Sequence, residues 1–181
     1  MGKASGENEW FEFKEAKAQM DLDDLGKYFS ALSNEANIKG QRYGWLILGV
    51  DDNANLVGTA WRQSRRSLED LKAEISRNVT EHISFEEIYE IQTDQGRVLL
   101  FQIPASRPGL PTSWKGHYYG RAASSLGPLN IHELEQIRDQ ISQDWSAQVC
   151  DGASISDLDP IAIAKARVEY AKRNPNLASD V

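Results

Sequence analysis

The clearest patterns of apolar and polar positions lie in the first fifty residues. Residues 9–14, Glu-Trp-Phe-Glu-Phe-Lys, predict a short strand in which Glu12 and Lys14 share one face and the two phenylalanines share the other. Apolar residues then recur at helical spacing from Leu22 to Leu32, with Asp21 placed to cap the helix. Residues 43–50 are almost continuously apolar, which predicts a central strand buried on both faces.

The rest of the chain predicts strands and helices in an irregular order. We expect a return strand at residues 56–58, a hairpin at residues 85–103 and a last strand at residues 114–119. Three further helices are predicted from their caps, which are Ser67 with Asp70, Asn130 with Glu133, and Asp159 followed by Pro160. The mixture predicts an α/β fold of the mixed, α+β-like kind, in which helices flank a mixed sheet and a helical extension follows.

The charge of the chain is negative overall but unevenly distributed. The 181 residues carry a formal net charge of −7, whereas proteins that coat DNA by bulk charge are usually basic. Contact with nucleic acid would therefore need a local basic patch. Two candidates are the cluster Arg62, Arg65 and Arg66 and the stretch between Arg97 and His132, which contains no Asp or Glu. The alternative interpretation is ordinary solvated surface charge.

The cysteine content and the hydropathy of the chain predict its compartment. The single cysteine, Cys150, excludes an internal disulfide and fits a reducing environment. The N-terminus lacks the apolar segment of a signal peptide, and no run approaches the roughly 18 apolar residues of a membrane span. We therefore expect a cytoplasmic protein that has no membrane partner.

The predicted central strand ends on two carboxylates, Asp51 and Asp52. Open α/β sheets place ligands at the carboxyl ends of their strands. A magnesium-holding acid pair of an ATPase would need a Gly-x-x-x-x-Gly-Lys-Ser/Thr loop as its partner, and the sequence contains none. The other interpretation is a simple turn, because Asp and Asn favour turns.

Acidic residues near the N-terminus suggest a second use for the same carboxylates. If the strand at residues 9–14 neighbours the central strand, Glu7, Glu12 and Asp51 can converge, with Asp52 beside them. Carboxylate oxygens suit Mg²⁺ or Mn²⁺, and a metal held in this way can activate water against a phosphodiester. The spacing alone does not establish that the acids meet.

An ordered set of motifs resembles the Schlafen-type AlbA-like DNA-binding domain family. The motifs are Glu7-x-x-x-x-Glu12-Phe13-Lys14, residues 30–34, residues 46–52, residues 56–58, residues 98–106, and Tyr118-Tyr119-Gly120-Arg121 through Ser125. The resemblance implies a Schlafen-core-like domain over residues 7–146. It also implies that residues 147–181 form a linker and a helix leading to a missing C-terminal domain of the same polypeptide. The family is described mainly as the N-terminal module of bacterial transcriptional regulators and ATP-binding proteins.

The resemblance also implies a chemistry, and the chain departs from the family both in the longer segment at residues 35–44 and after Arg121. In eukaryotic Schlafen proteins three acids are linked to RNA cleavage, and by motif they match Glu7, Glu12 and either Asp51 or Asp52. The family often continues its arginine as Arg-x-Gly-Ser-Ser, whereas this chain has Arg121-Ala122-Ala123-Ser124-Ser125. Loss of that glycine changes how the backbone can approach a phosphate.

The sequence is compatible with three functions. The first is a DNA- or RNA-binding module of a transcription-regulatory protein, and its candidate contacts are Lys14, Arg62, Arg65, Arg66, Lys115, Tyr118, Tyr119, Arg121, Ser124 and Ser125. Trp114 beside the tyrosines is a further stacking candidate. The second is a Mg²⁺- or Mn²⁺-dependent nuclease that uses Glu7, Glu12 and Asp51. The third is an interaction module, with a homodimer as the expected assembly.

Overall fold

The protein combines two sheets with four α-helices in the part that the computed structural model describes, which is residues 10–16, 18–122, 125–141, 152 and 154–174. The strands are β1 (Phe11–Lys14), β2 (Tyr43–Leu48), β3 (Glu87–Thr93), β4 (Gly96–Pro104), β5 (Ser113–Trp114), β6 (His117–Ala122) and β7 (Ser125–Pro128). The helices are α1 (Leu22–Ile38), α2 (Arg65–Ser76), α3 (Ile131–Arg138) and α4 (Pro160–Arg173). The chain divides into two compact units, residues 1–142 and 143–181.

The larger sheet is mixed, with the strand order β1-β2-β4-β3. Strand β1 runs parallel to β2, whereas β2 with β4 and β4 with β3 are antiparallel pairs. A second, antiparallel sheet has the order β5-β6-β7. The predicted mixed α+β-like fold is thereby confirmed. Within the described residues, no helix combines the length and apolar character that a membrane span requires.

Local capping explains where three of the helices begin. The Asp21 carboxylate accepts the backbone N–H groups of Asp23 and Asp24 at the start of α1. Asn130 and Glu133 form both hydrogen bonds of a capping box before α3. Asp159 caps α4 with Pro160 at its first position. All three starts were predicted correctly, because a cap needs only residues within one turn.

Three of the predicted elements differ from the observed ones. Helix α2 is capped by Ser64 instead of Ser67, and the Ser67 amide donates to the Ser64 hydroxyl. Residues 56–58 form a single bridge rather than a strand, because the amides of Val57 and Gly58 both donate to the carbonyl of Gly49. Residues 114–119 are split into β5 and β6 by a tight turn. The short strand β7 has no counterpart among the predicted elements.

The main core lies between one face of the larger sheet and helices α1 and α2. Its fully buried members include Phe29 of α1, Leu71 of α2, and Leu46 and Phe101 of the sheet. A smaller apolar cluster of Ile47, Val50 and Val98 lies on the opposite face. Both helices therefore pack on the same side of the sheet. Residues 46–50 of the predicted central strand are buried on both faces, whereas Tyr43 and Trp45 at its beginning are half-buried.

Polar residues of α1 hold the second sheet against this helix. The Asn34 amide group donates to the carbonyls of Thr112 and Tyr119, and its oxygen accepts the Thr112 N–H at 2.8 Å. The Ser30 hydroxyl donates to the same Thr112 carbonyl and accepts the Tyr119 N–H. Because Asn34 and Ser30 are fully buried, these hydrogen bonds fix β6 across α1. This placement brings Arg121 towards β1.

Candidate nucleic-acid interface

A buried ion pair joins the two sheets at the edge strand β1. Glu12 and Arg121 have 2% and 0% of their side-chain surfaces exposed, and Nη2 of Arg121 contacts Oε2 of Glu12. The other Glu12 oxygen, Oε1, lies 2.7 Å from Nζ of Lys14. Arg121 also donates from Nη1 to the Phe11 carbonyl at 2.9 Å and from its backbone N–H to Glu35. Cations therefore occupy both carboxylate oxygens of Glu12, and the Arg121 charge does not reach the surface.

Lys14 lies at the outer end of this cluster, with 35% of its side chain exposed. Burial lowers its pKa, but hydrogen bonds to Glu12 and Tyr28, together with their charges, outweigh burial and raise the pKa above its ordinary value. Lys14 is therefore cationic at neutral pH. It opens on a cavity of about 280 Å³ whose wall includes Asp21 and Asp24. Two carboxylates beside the ammonium make this cavity a poor cradle for phosphate.

Asp51 stabilises the turn at residues 51–55, which comes shortly after β2. Its Oδ1 accepts the backbone N–H groups of Asn53 and Asn55 at 2.9 and 2.8 Å, and its Oδ2 accepts the Asn55 side-chain amide. These hydrogen bonds lower the pKa of Asp51, and the largest effect comes from the Asn55 side-chain amide. Asp52 beside it is exposed. The carboxylate of Asp51 is thus already used to stabilise the turn.

The predicted metal ligands are Glu7, Glu12, Asp51 and Asp52, and the structure describes the last three. Glu7 lies outside the described residues, as does Ser124 of the predicted phosphate contacts. Across the parts of the chain that the structure describes, no group of three His, Cys, Asp or Glu side chains could hold a metal ion. Glu12, Asp51 and Asp52 therefore do not make a Mg²⁺ or Mn²⁺ site by themselves.

The basic cluster before and within α2 is mostly neutralised by carboxylates. Arg62 pairs with Glu74, and Arg65 pairs with Glu69 and Glu87. Arg65 also donates to the Ile88 carbonyl of the edge strand β3. Arg66 is exposed and makes no ion pair within the described residues. Of the three predicted arginines, Arg66 is therefore the one that no carboxylate of the described residues neutralises.

The stretch around β5 and β6 also differs from an open basic groove. Lys115 pairs with Asp23 and lies 5.5 Å from the centroid of the Trp114 ring. Trp114 itself is only 2% exposed, and it packs on Gly26 of α1, so no base can stack on it. Tyr118 and Tyr119 are half-buried, and Tyr119 packs against the core. Ser125 is exposed at the start of β7.

The structure also presents a surface that the sequence patterns did not predict. On the side of the larger sheet opposite α1 and α2, aromatic rings from three strands lie together. We call this surface the aromatic face, and its rings belong to Phe11, Phe13, Tyr43, Trp45 and Tyr89. In the sequence, this face is indicated by side chains that alternate with a period of two in residues 43–47 and 87–91. The alternation is hard to recognise because the intervening positions of β2 are apolar as well, so the two faces of the strand look alike in the sequence.

Contacts between the rings arrange the aromatic face in two groups. The Trp45 and Tyr89 rings are stacked with centroids 6.3 Å apart, and Trp45 meets Tyr43 edge to face at 6.4 Å. Phe11 and Phe13 form another edge-to-face pair at 5.1 Å. Such pairs hold the rings in defined orientations.

Comparisons with known proteins identify the family of the chain. The model of the family described as "Schlafen, AlbA_2" matches residues 7–130. The DIP2311 protein from Corynebacterium diphtheriae is similar in structure, with a TM-score of 0.54 and 21% sequence identity over 94% of this chain. This chain covers 30% of the length of DIP2311.

A second solved structure is a more distant match. The N-terminal domain of a RecG-related protein from Nitrosomonas europaea has a TM-score of 0.46 and 19% identity, over 71% of this chain and 84% of that one. No curated protein matches the sequence significantly. Because the family model covers well over half of the chain, this protein belongs to the Schlafen AlbA_2 family.

Proposed function

We propose that this domain binds nucleic acid and serves as the binding module of a larger, transcription-regulatory protein. The observation that carries the proposal is the aromatic face, a partly exposed sheet surface whose rings include Trp45 and Tyr89. Aromatic side chains on a sheet are a recurrent platform for bases, because every base has a π-face. Membership of the Schlafen AlbA_2 family supports the same proposal.

The contacts that the carboxylates of Glu12 and Asp51 already make favour a binding function over a cleavage function. Lys14 and Arg121 contact the two carboxylate oxygens of Glu12, and the Asp51 carboxylate accepts hydrogen bonds within its own turn. A divalent metal bound by either residue would have to displace these partners. The cost is large for Glu12, because its displacement would leave the guanidinium of Arg121 buried without its counter-charge.

The proposal is tested by fluorescence anisotropy with labelled DNA and RNA of mixed sequence at low ionic strength. We expect binding that weakens as salt rises, because phosphate contacts release counterions. Arg42→Gln, just before β2, and Arg138→Gln, on α3, form a matched pair of exposed arginines. We expect the Arg42 variant to bind more weakly and the Arg138 variant to be unchanged. Absence of binding to every probe at low salt would contradict the proposal.

A further inference from the structure

We infer that the aromatic face takes the unpaired bases of single-stranded nucleic acid. In this assignment bases stack on Trp45 and Tyr89, and Arg42 contacts the phosphate backbone. The inference rests on the proposed function and specifies its ligand, which is a single strand of DNA or RNA rather than a duplex.

The register of the strands places the aromatic rings in neighbouring rows. Phe11 lies opposite Trp45 in the β1–β2 pair, and in the next row Phe13 lies opposite Ile47. Tyr89 of β3 continues that second row through Leu100. Because side chains two residues apart on a strand are about 7 Å apart, the rings form a platform with room for more than one base.

The exposure of the rings shows which of them a base can reach. Tyr89 is 45% exposed at the outer strand, and Trp45 is half-buried beside it. The Tyr89 hydroxyl donates to Gln102 at 3.1 Å, which fixes the ring on the sheet. On the same face, Ile47 and Val98 are only 8% and 4% exposed, whereas Ile91, two residues after Tyr89 on β3, is 46% exposed. The accessible apolar surface therefore consists of the Trp45 and Tyr89 rings together with the Ile91 side chain on the outer strand.

Flat ring faces select for bases that are not already stacked. In a duplex the base faces are covered by their neighbours, and the outside presents phosphates and groove edges. A sheet face that carries no basic side chain among its strand residues has little to offer a duplex. A single strand can instead turn its bases onto aromatic side chains, each contributing about 1–3 kcal/mol.

The charges around the aromatic face are compatible with a polyanion. Glu87 is the charged residue among the strand positions on this face, and its carboxylate accepts the Ile88 N–H and pairs with Arg65. Just before β2 begins, the Arg42 guanidinium lies 5.4 Å from the centroid of the Tyr43 ring. Arg42 is exposed, and in the described part of the chain its guanidinium contacts the Tyr43 ring but no carboxylate. It is therefore placed to meet a phosphate beside a stacked base.

The test compares four variants against a single-stranded oligonucleotide and a duplex of the same sequence. Trp45→Leu and Tyr89→Ala remove rings from the aromatic face, and Arg42→Gln removes its cation. Tyr170→Ala is the control, because Tyr170 on α4 is a tyrosine of nearly equal exposure, 44%. Thermal melts of each variant confirm that it is folded, and Tyr89→Ala keeps the test valid if Trp45→Leu is unstable.

We expect the unmodified protein to prefer the single strand. Each ring variant should lose about 5- to 150-fold in affinity, and the control should lose none. If the protein binds the duplex as well as the single strand, and the ring variants bind normally, the inference fails while the proposed function stands. If no nucleic acid binds, both fail. If sedimentation shows a dimer that Trp45→Leu dissociates, and no single strand competes with it, the face is a protein interface and the inference is wrong.

Discussion

The Glu12 carboxylate of β1 and the Arg121 guanidinium of β6 form a buried ion pair that links the two sheets of the protein. Both residues come from motifs that resemble a catalytic or phosphate-binding pattern when they are read along the sequence. In the folded chain they neutralise each other, and Arg121 additionally holds the edge strand by donating to the Phe11 carbonyl.

Removing one partner of this pair should be strongly destabilising. Arg121→Met leaves the Glu12 carboxylate buried with Lys14 as its remaining cation, so we expect the free energy of unfolding to fall by about 3–5 kcal/mol. The double variant Glu12→Leu with Arg121→Met removes both charges and should lose less than the single variant. Urea denaturation measures the three values. A loss below about 1 kcal/mol for Arg121→Met would show that the pair is not essential for the fold.

The close contact between Gly26 and Trp114 predicts a second stability effect. A Cβ at position 26 would lie 2.1 Å from Cδ2 of the buried Trp114 ring. Gly26→Ala should therefore destabilise the protein by about 1–3 kcal/mol or more, although alanine is the better helix former. Gly127→Ala is the matched control, since a Cβ there meets nothing within 4 Å. Equal thermal midpoints for the two variants would contradict the packing of Trp114 against α1.

The turn after β2 should contribute to stability in a pH-dependent way. The folded protein holds the pKa of Asp51 below its ordinary value of 3.8. The contribution of the Asp51 charge is therefore fully present above pH 3.8 and is lost as the pH falls through the folded-state pKa. We expect Asp51→Ala to destabilise the protein near neutral pH, with a difference from the unmodified protein that shrinks below pH 3.8. Asp52→Ala, whose exposed side chain makes no turn hydrogen bond, should have little effect at either pH.

Divalent metal should not stabilise the folded chain. Because Lys14 and Arg121 contact the Glu12 carboxylate, we expect millimolar Mg²⁺ or Mn²⁺ to leave the thermal midpoint unchanged. Incubation of structured RNA with Mn²⁺ should likewise give the same result for the unmodified protein and for Glu12→Gln. A metal-dependent rise in the midpoint that is lost in Glu12→Gln, together with RNA cleavage by the unmodified protein alone, would instead support the nuclease.

Much of the local structure could be predicted from the sequence because its causes are local. The caps at Asp21, Asn130 and Asp159 each act within one helical turn, and the alternation at residues 11–14 assigns the two faces of β1 directly. The ordered motifs also indicated the family that the comparison over residues 7–130 identifies.

The candidate site depended on contacts between residues that are distant in the chain, and no periodicity reports such contacts. The sequence determined that Glu12 and Lys14 share a face of β1, but packing of β6 across α1 decided that Arg121 would meet them. It determined that residues 43–50 are apolar, but the placement of α1 and α2 decided which face of β2 became core and which kept its aromatic rings partly exposed. The physical reason is that side-chain charge and ring type are properties of single residues, whereas burial and pairing are properties of the whole packed chain.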